Sequence, residues 1–173
     1  MNFNLAEAIE ILERTPRSLE GLLTGLSKSW LTTNEGDGTW TVSEVIDHMI
    51  ESERTNWIPR VETILNGGQN TFPQFDRYAH LTDATETPIE KKLDEFKETR
   101  SNSLSRLKQI VDSEAQLELT GIHPAFGEVK LNELLATWVV HDFTHVSQIV
   151  RVMSERYRKD VGPWEEYLGV LKR

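Results

Sequence analysis

The residues best equipped for chemistry are five histidines, His48, His80, His123, His141 and His145, in a chain of 173 residues without cysteine. The lack of cysteine excludes a disulfide scaffold, a thiolate zinc finger, an iron–sulfur centre and a cysteine nucleophile. A metal ion in this chain must be held by His, Asp or Glu. His141 and His145 stand four apart, the spacing that puts two side chains on one helix face with Cβ atoms about 6 Å apart. Two imidazoles so placed can point at one ion. Their stripe, Trp138, His141, His145, Gln148 and Val152, runs between strongly apolar neighbours, and neutral imidazoles withdrawn from water need partners, which an ion supplies. His48, in Val45-Ile46-Asp47-His48-Met49-Ile50, is also set among core-type residues. Alone it fits a core histidine bonded to a backbone carbonyl. Beside the pair it reads as a third ligand from a facing helix. Three histidines with one open position is the pattern of a catalytic zinc-type site. His80, in an aromatic stretch, and His123, before Pro124, read as loop-anchoring or surface residues able to reach over the bundle end.

Metal-bound histidines donate their other ring N–H to a carboxylate or carbonyl. Glu44, Glu51 and Ser52 lie within a turn of His48, Asp142 follows His141, and Gln148 lies one turn past His145. Glu44 has a competing use as a capping residue. A second arrangement, His141-Asp142-x-x-His145, echoes the His-Glu-x-x-His helix of metalloproteases, with a third ligand from Glu155, Glu165 or Glu166. It leaves His48 unexplained, and Asp is one methylene shorter than the Glu base.

These residues need helices to position them. Leu5, Ala8, Ile9 and Leu12 have helical spacing over 4–14, and Thr15-Pro16 predicts a stop followed by a short helix carrying Leu19, Leu22, Leu23 and Leu26. Residues 32–39 are turn formers. Thr41-Val42-Ser43-Glu44 is a capping box opening a helix over about 41–66, kinked near Asn56–Pro59 and ended by Gly67-Gly68. Residues 67–86, with Phe72, Pro73, Phe75, Tyr78 and His80, read as an irregular packed crossover. Thr87-Pro88-Ile89-Glu90 opens a helix to about Asp112, and 113–129 reads as a turn-rich link. The last long helix, about 131–158, is apolar over a wide arc, and Trp164, Tyr167 and Leu168 then predict a short segment docking back. No strand pattern or internal repeat is visible. The expectation is one all-α domain over 1–173, a four-helix bundle with a broken N-terminal helix.

Composition limits the partners. Hydrophobic residues at 38% and charged residues at 27% make a globular chain, and 19 basic against 28 acidic residues give a net charge of −9. That balance disfavours nucleic acid. The one basic cluster, Arg151, Arg156, Arg158 and Lys159, is broken by Glu155 and followed by Asp160, and suits a helix C-terminus. No apolar run reaches the ~18 residues of a membrane span, and the N-terminus carries no signal-peptide pattern, so the expected compartment is the cytoplasm.

Four stretches carry a family resemblance: Leu12-Glu13-Arg14-Thr15-Pro16, Trp40 through His48, Glu53-Arg54-Thr55-Asn56-Trp57-Ile58-Pro59-Arg60, and Leu134 through His145. With these the chain resembles the DinB/YfiT-like superfamily of bacterial metal-binding four-helix bundles over essentially its whole length. A single His on the second long helix followed by a late His-x-x-x-His is that family's hallmark. The resemblance implies one divalent ion, nickel or zinc, held by His48, His141 and His145 with water completing the shell. It also implies a homodimer, a small-molecule substrate and chemistry of the hydrolase or thiol-dependent transferase type, the latter using a low-molecular-weight thiol. On that reading Glu51 is the expected general base, and Trp57, Arg60 and Tyr78 shape the substrate mouth, Arg60 by pairing with a substrate carboxylate. The alternative is a non-enzymatic metal-binding module of the stress-response or interaction type. One departure is Lys130 before the last helix, where a capping Thr or Ser would fit better.

Overall fold

The structure, a computed structural model, describes residues 3–67, 71–81 and 87–172. Gly68, of the expected Gly67-Gly68 stop, and the end of the crossover at 82–86 lie outside them. The helices are α1 (Leu5–Leu23), α2 (Lys28–Leu31), α3 (Val42–Thr55), α4 (Trp57–Leu65), α5 (Ile89–Ile110) and α6 (Leu131–Glu155). α1, the bent α3–α4 pair, α5 and α6 make a four-helix bundle, as expected.

Local chemistry explains most boundaries. At the start of α3 the Glu44 N–H donates to the Thr41 hydroxyl at 3.2 Å and the Glu44 carboxylate accepts from the Thr41 N–H at 2.7 Å. Trp40, just before this cap, and Val45 share one core, in the manner of a hydrophobic staple. The expected kink separates α3 from α4 at Asn56, because Pro59 has no N–H for the Thr55 carbonyl. At the start of α6, Glu133 accepts the Lys130 N–H at 2.8 Å, half of a capping box.

The N-terminal helix differs from expectation. α1 runs unbroken through Thr15-Pro16, with Pro16 buried. Proline cannot donate to the carbonyl four residues back, that of Leu12. A side chain from another helix does so instead: Arg100 on α5 donates from Nη1 to the Leu12 carbonyl at 2.8 Å. Tertiary bonding therefore carries the helix past its missing hydrogen bond.

The link at 113–129 also differs, since it holds a β-hairpin. β1 (Thr120–His123) pairs antiparallel with β2 (Gly127–Lys130), Gly121 opposite Val129. Its three-residue loop, 124–126, leads into Gly127 at φ +76°, a left-handed position suited to glycine. Thr71 forms a parallel bridge to Ile122, and Phe72 donates its N–H to the Ile122 carbonyl at 2.8 Å. A Cβ on Gly121 would stand 2.6 Å from the Phe72 ring, so glycine is what admits the crossover here. At the C-terminus the expected docking residues do not dock: Trp164 and Tyr167 are 68% and 84% exposed and Leu168 is exposed. Leu171 is the buried anchor, its carbonyl accepting from Arg158 at 2.8 Å.

The core has two halves. One gathers Leu19, Val45, Ile46, Met49, Phe96 and Ile149. The other gathers Leu12, Trp57, Ile64, Leu107, Leu135 and Trp138. Polar groups meet between them, and the histidines lie at that junction.

Candidate metal centre

α3 supplies His48 and α6 supplies His141 and His145. Their helical spacing and the α3–α6 packing bring the three Nε2 atoms together. His141 Nε2 is 3.2 Å from His48 Nε2 and 3.1 Å from His145 Nε2. Among the described residues this is the group of His and acidic side chains that converges, with ligand atoms all within 4.8 Å of one another. Zinc–nitrogen bonds of 2.0–2.1 Å with angles between octahedral and tetrahedral require neighbouring donors roughly 2.9–3.4 Å apart. The two close pairs meet that requirement.

The electrostatics agree. Burial and the neighbouring imidazoles push His48 down to about 3 and His141 down to about 2, and burial lowers His145. All three rings are therefore unprotonated at neutral pH. With the N–H on Nδ1, each ring would offer its Nε2 lone pair to a cation at this point. The Nδ1 atoms of His48 and His141 are buried without hydrogen-bond partners. His145 is better held: its Nδ1 pairs with Gln148 Oε1 at 2.8 Å, which fixes the N–H there and turns the Nε2 lone pair inward. A three-nitrogen set with no thiolate suits a borderline divalent ion and leaves coordination positions open.

Aromatic rings wall the site. Trp40 packs on His48 with centroids 4.8 Å apart and stacks on His145 at 6.3 Å. Beneath His141 lies Trp57, edge-on at 5.1 Å and itself stacked on Trp138 at 5.5 Å. The crossover covers the other side. Phe75 meets His48 at 5.9 Å, His80 meets Trp40 at 4.6 Å, and the Arg77 guanidinium lies over Trp40 at 5.8 Å.

The other expected site residues are placed as follows. Gln148 Oε1 lies 2.8 Å from His145 Nδ1. Asp142 does not hold a histidine ring: both its oxygens face Arg100 on α5, at 2.7 and 2.8 Å. Ser52 is buried, but its hydroxyl donates to the His48 backbone carbonyl at 2.9 Å, not to the ring. Trp57 is buried, a wall rather than part of an open mouth. Arg60 lies over Phe72 at 5.3 Å, towards the hairpin. Tyr78 is exposed and edge-on to Trp40 at 6.1 Å, at the rim. Glu51 lines a cleft of about 210 Å³ with Asp47, Ile50 and His80. His123 stacks on Phe126 in the hairpin, away from the triad.

Sequence reasoning missed a buried ionic clamp behind the site. Arg100 on α5 bonds Asp142 of α6 bidentately, Glu53 of α3 at 2.8 Å and the Leu12 carbonyl of α1. Trp138 Nε1 donates to the same Glu53 oxygen at 3.0 Å. Burial, set against the attraction of Arg100, raises the Glu53 carboxyl. The signal was present: Arg100, Glu53 and Asp142 each continue the buried stripe of their own helix.

Comparison with known proteins bears on all of this. A family model described as the DinB superfamily matches residues 11–149. Two curated proteins share the name "Putative metal-dependent hydrolase". OB0782 of Oceanobacillus iheyensis is 25% identical over 157 residues, 90% of this chain and 89% of that one. YfiT of Bacillus subtilis is 24% identical over 147 residues, 83% and 81% of the two chains. The solved structure of Bacillus subtilis YfiT superimposes at a TM-score of 0.74 with 22% identity, covering 87% of this chain and 86% of that one. The crystal structure of TT2238, a four-helix bundle protein, superimposes at 0.54 with 22% identity, covering 83% and 95%. At such identities the structural matches establish the fold.

Proposed function

Since the chain belongs to the DinB superfamily, we propose that it is a divalent-metal-dependent enzyme of the hydrolase or thiol-dependent transferase type, with one ion, nickel or zinc, held by His48, His141 and His145. The observation that carries this reading is the convergence of three neutral imidazoles, His141 Nε2 standing 3.1–3.2 Å from the Nε2 atoms of His145 and His48, on a wall of aromatic rings. An ion bound there supplies Lewis acidity and lowers the pKa of a water or thiol placed on it.

The chain's own residues do the rest. Gln148 holds His145 in the donor tautomer. Trp40 and Trp57 exclude water from two sides and keep the rings from swinging, and Tyr78 and Arg77 form the rim that a small-molecule substrate crosses. Glu51, from its cleft beside His80, accepts a proton through the substrate or a water rather than by touching the triad. A transferase of this type takes its thiol from the substrate side, because the chain has no cysteine. No described helix is long and apolar enough to cross a membrane, and we place the enzyme in the cytoplasm as a homodimer. Exposed Trp164 and Tyr167 are candidates for its contact surface.

The test is metal analysis of protein purified without an immobilised-metal column, beside a variant with His48, His141 and His145 all replaced by Ala. About one ion per chain in the wild type and none in the variant is expected. Full occupancy in the variant overturns the assignment. Turnover of ester, amide or thiol-adduct substrates that vanishes with the ion separates an enzyme from a metal-binding module. Elution at the monomer mass at micromolar concentration removes the dimer.

A further inference from the structure

His80 is the histidine that neither the fold nor the triad accounts for. Both its ring nitrogens are buried, and neither has a hydrogen-bond partner. A ring withdrawn from water at both nitrogens, and acted on only by the Arg77 backbone and the nearby carboxylates of Asp47, Glu44 and Glu51, is poorly satisfied, so a side chain held this way needs a reason. Its place is built rather than accidental. Asp76 caps the turn that carries it, accepting the Tyr78 N–H at 2.9 Å, and the Leu81 N–H donates to the Tyr78 carbonyl at 2.9 Å. Trp40 then clamps the ring edge-on at 4.6 Å.

The ring touches two places at once. It lies 5.3 Å from the His48 ring, and it lines the cleft of about 210 Å³ that also holds Asp47, Ile50 and Glu51. It is not one of the three convergent donors, so it is no fourth ligand as it stands. Yet it is near enough for a group taken up at the triad to meet it. The two cations around the cleft are committed: Lys92 to Asp47 and Ser43, and Arg54 to Glu95. His80 is not.

We propose that His80 binds the substrate, its imidazole hydrogen-bonding the anionic or polar atom that the substrate presents to the metal triad while the rest of the molecule occupies the adjoining cleft. A neutral imidazole offers one donor and one acceptor, which fits a thiolate or carboxylate-like atom on one side and a polar group on the other. This rests on the metal reading above. It makes the crossover a part of the binding site rather than a connection.

The experiment uses the full chain, stripped with a chelator and reloaded with cobalt(II), with azide as the probe anion and the visible spectrum as the readout. Wild type and His80→Ala should take up cobalt with the same affinity and spectrum. The azide dissociation constant should rise about 10-fold in His80→Ala, and His80→Asn should recover part of that loss. Unchanged azide affinity in His80→Ala overturns the proposal. So does a loss of cobalt affinity or of helicity in both variants, since His80 then serves the ion or the fold. If the wild type fails to bind cobalt, the metal reading falls first and takes this one with it.

Discussion

Three unprotonated imidazoles pressed together make the metal-free protein sensitive to acid. His48 and His141 protonate at about 3 and 2 when folded, but near 6.5 when unfolded. Below pH 6.5 the unfolded chain binds more protons than the folded one, so stability falls with pH through this window, by up to about 1.4 kcal/mol per pH unit for each ring. The urea midpoint of chelated protein should drop between pH 7.5 and 5, and His48→Leu should flatten the slope. A flat wild-type profile would contradict the depressed values. At Gln148 the role is orientation: Gln148→Ala frees the His145 ring to change tautomer and should weaken metal affinity about 10-fold, measured by competition with a chromogenic chelator. The convergence of the three histidines was legible in the sequence, because i, i+4 histidines on a buried stripe aim at one point. Their supports were not. Ser52 and Asp142 have the right type and spacing for His48 and His141, but one satisfies its own helix and the other faces Arg100. Sequence spacing places a side chain on a helix; it does not choose between a ring and a competing partner of opposite charge.

At the scale of elements, the clamp around Arg100 sets how α1, α3, α5 and α6 stand to one another, and so where their histidines point. Arg100→Ala leaves Glu53 and Asp142 buried without a cation and should cost about 3–5 kcal/mol in urea unfolding. A cost below about 1 kcal/mol would mean that water replaces the guanidinium. The four bundle segments and the bend at Asn56 could be read from apolar periodicity, caps and Pro59. The hairpin could not, because four-residue strands are too short for an alternating pattern to register, and it packs on Phe72 and Ile64 from outside the hairpin. The expected stop at Pro16 fails for a related reason. Propensity counts the hydrogen bond that proline omits, but not a donor arriving from another helix.

For the whole molecule, the two apolar halves meet around a polar belt whose inner member is an ion pair and whose outer member is the triad. The two apolar clusters pack through side chains other than the three histidines. Chelation should therefore lower the thermal midpoint while leaving the far-ultraviolet circular dichroism at 25 °C unchanged, and restoring the metal should restore the midpoint. Loss of helicity on chelation would make the ion structural. The net charge of −9 has no bearing on this interior belt. The basic cluster near the end of α6 is partly neutralised, Arg151 by Glu35 and Arg158 by Glu155 and Glu165. The bond from Arg100 to the Leu12 carbonyl has a consequence for assembly. Short helices are marginal alone, and α1 carries a gap in its ladder at Pro16 that Arg100 of α5 fills. As a free peptide α1 amounts to two weak half-helices. It becomes one rod on docking, so the first and third bundle segments acquire their order together, and neither should exchange its amide protons independently of the other.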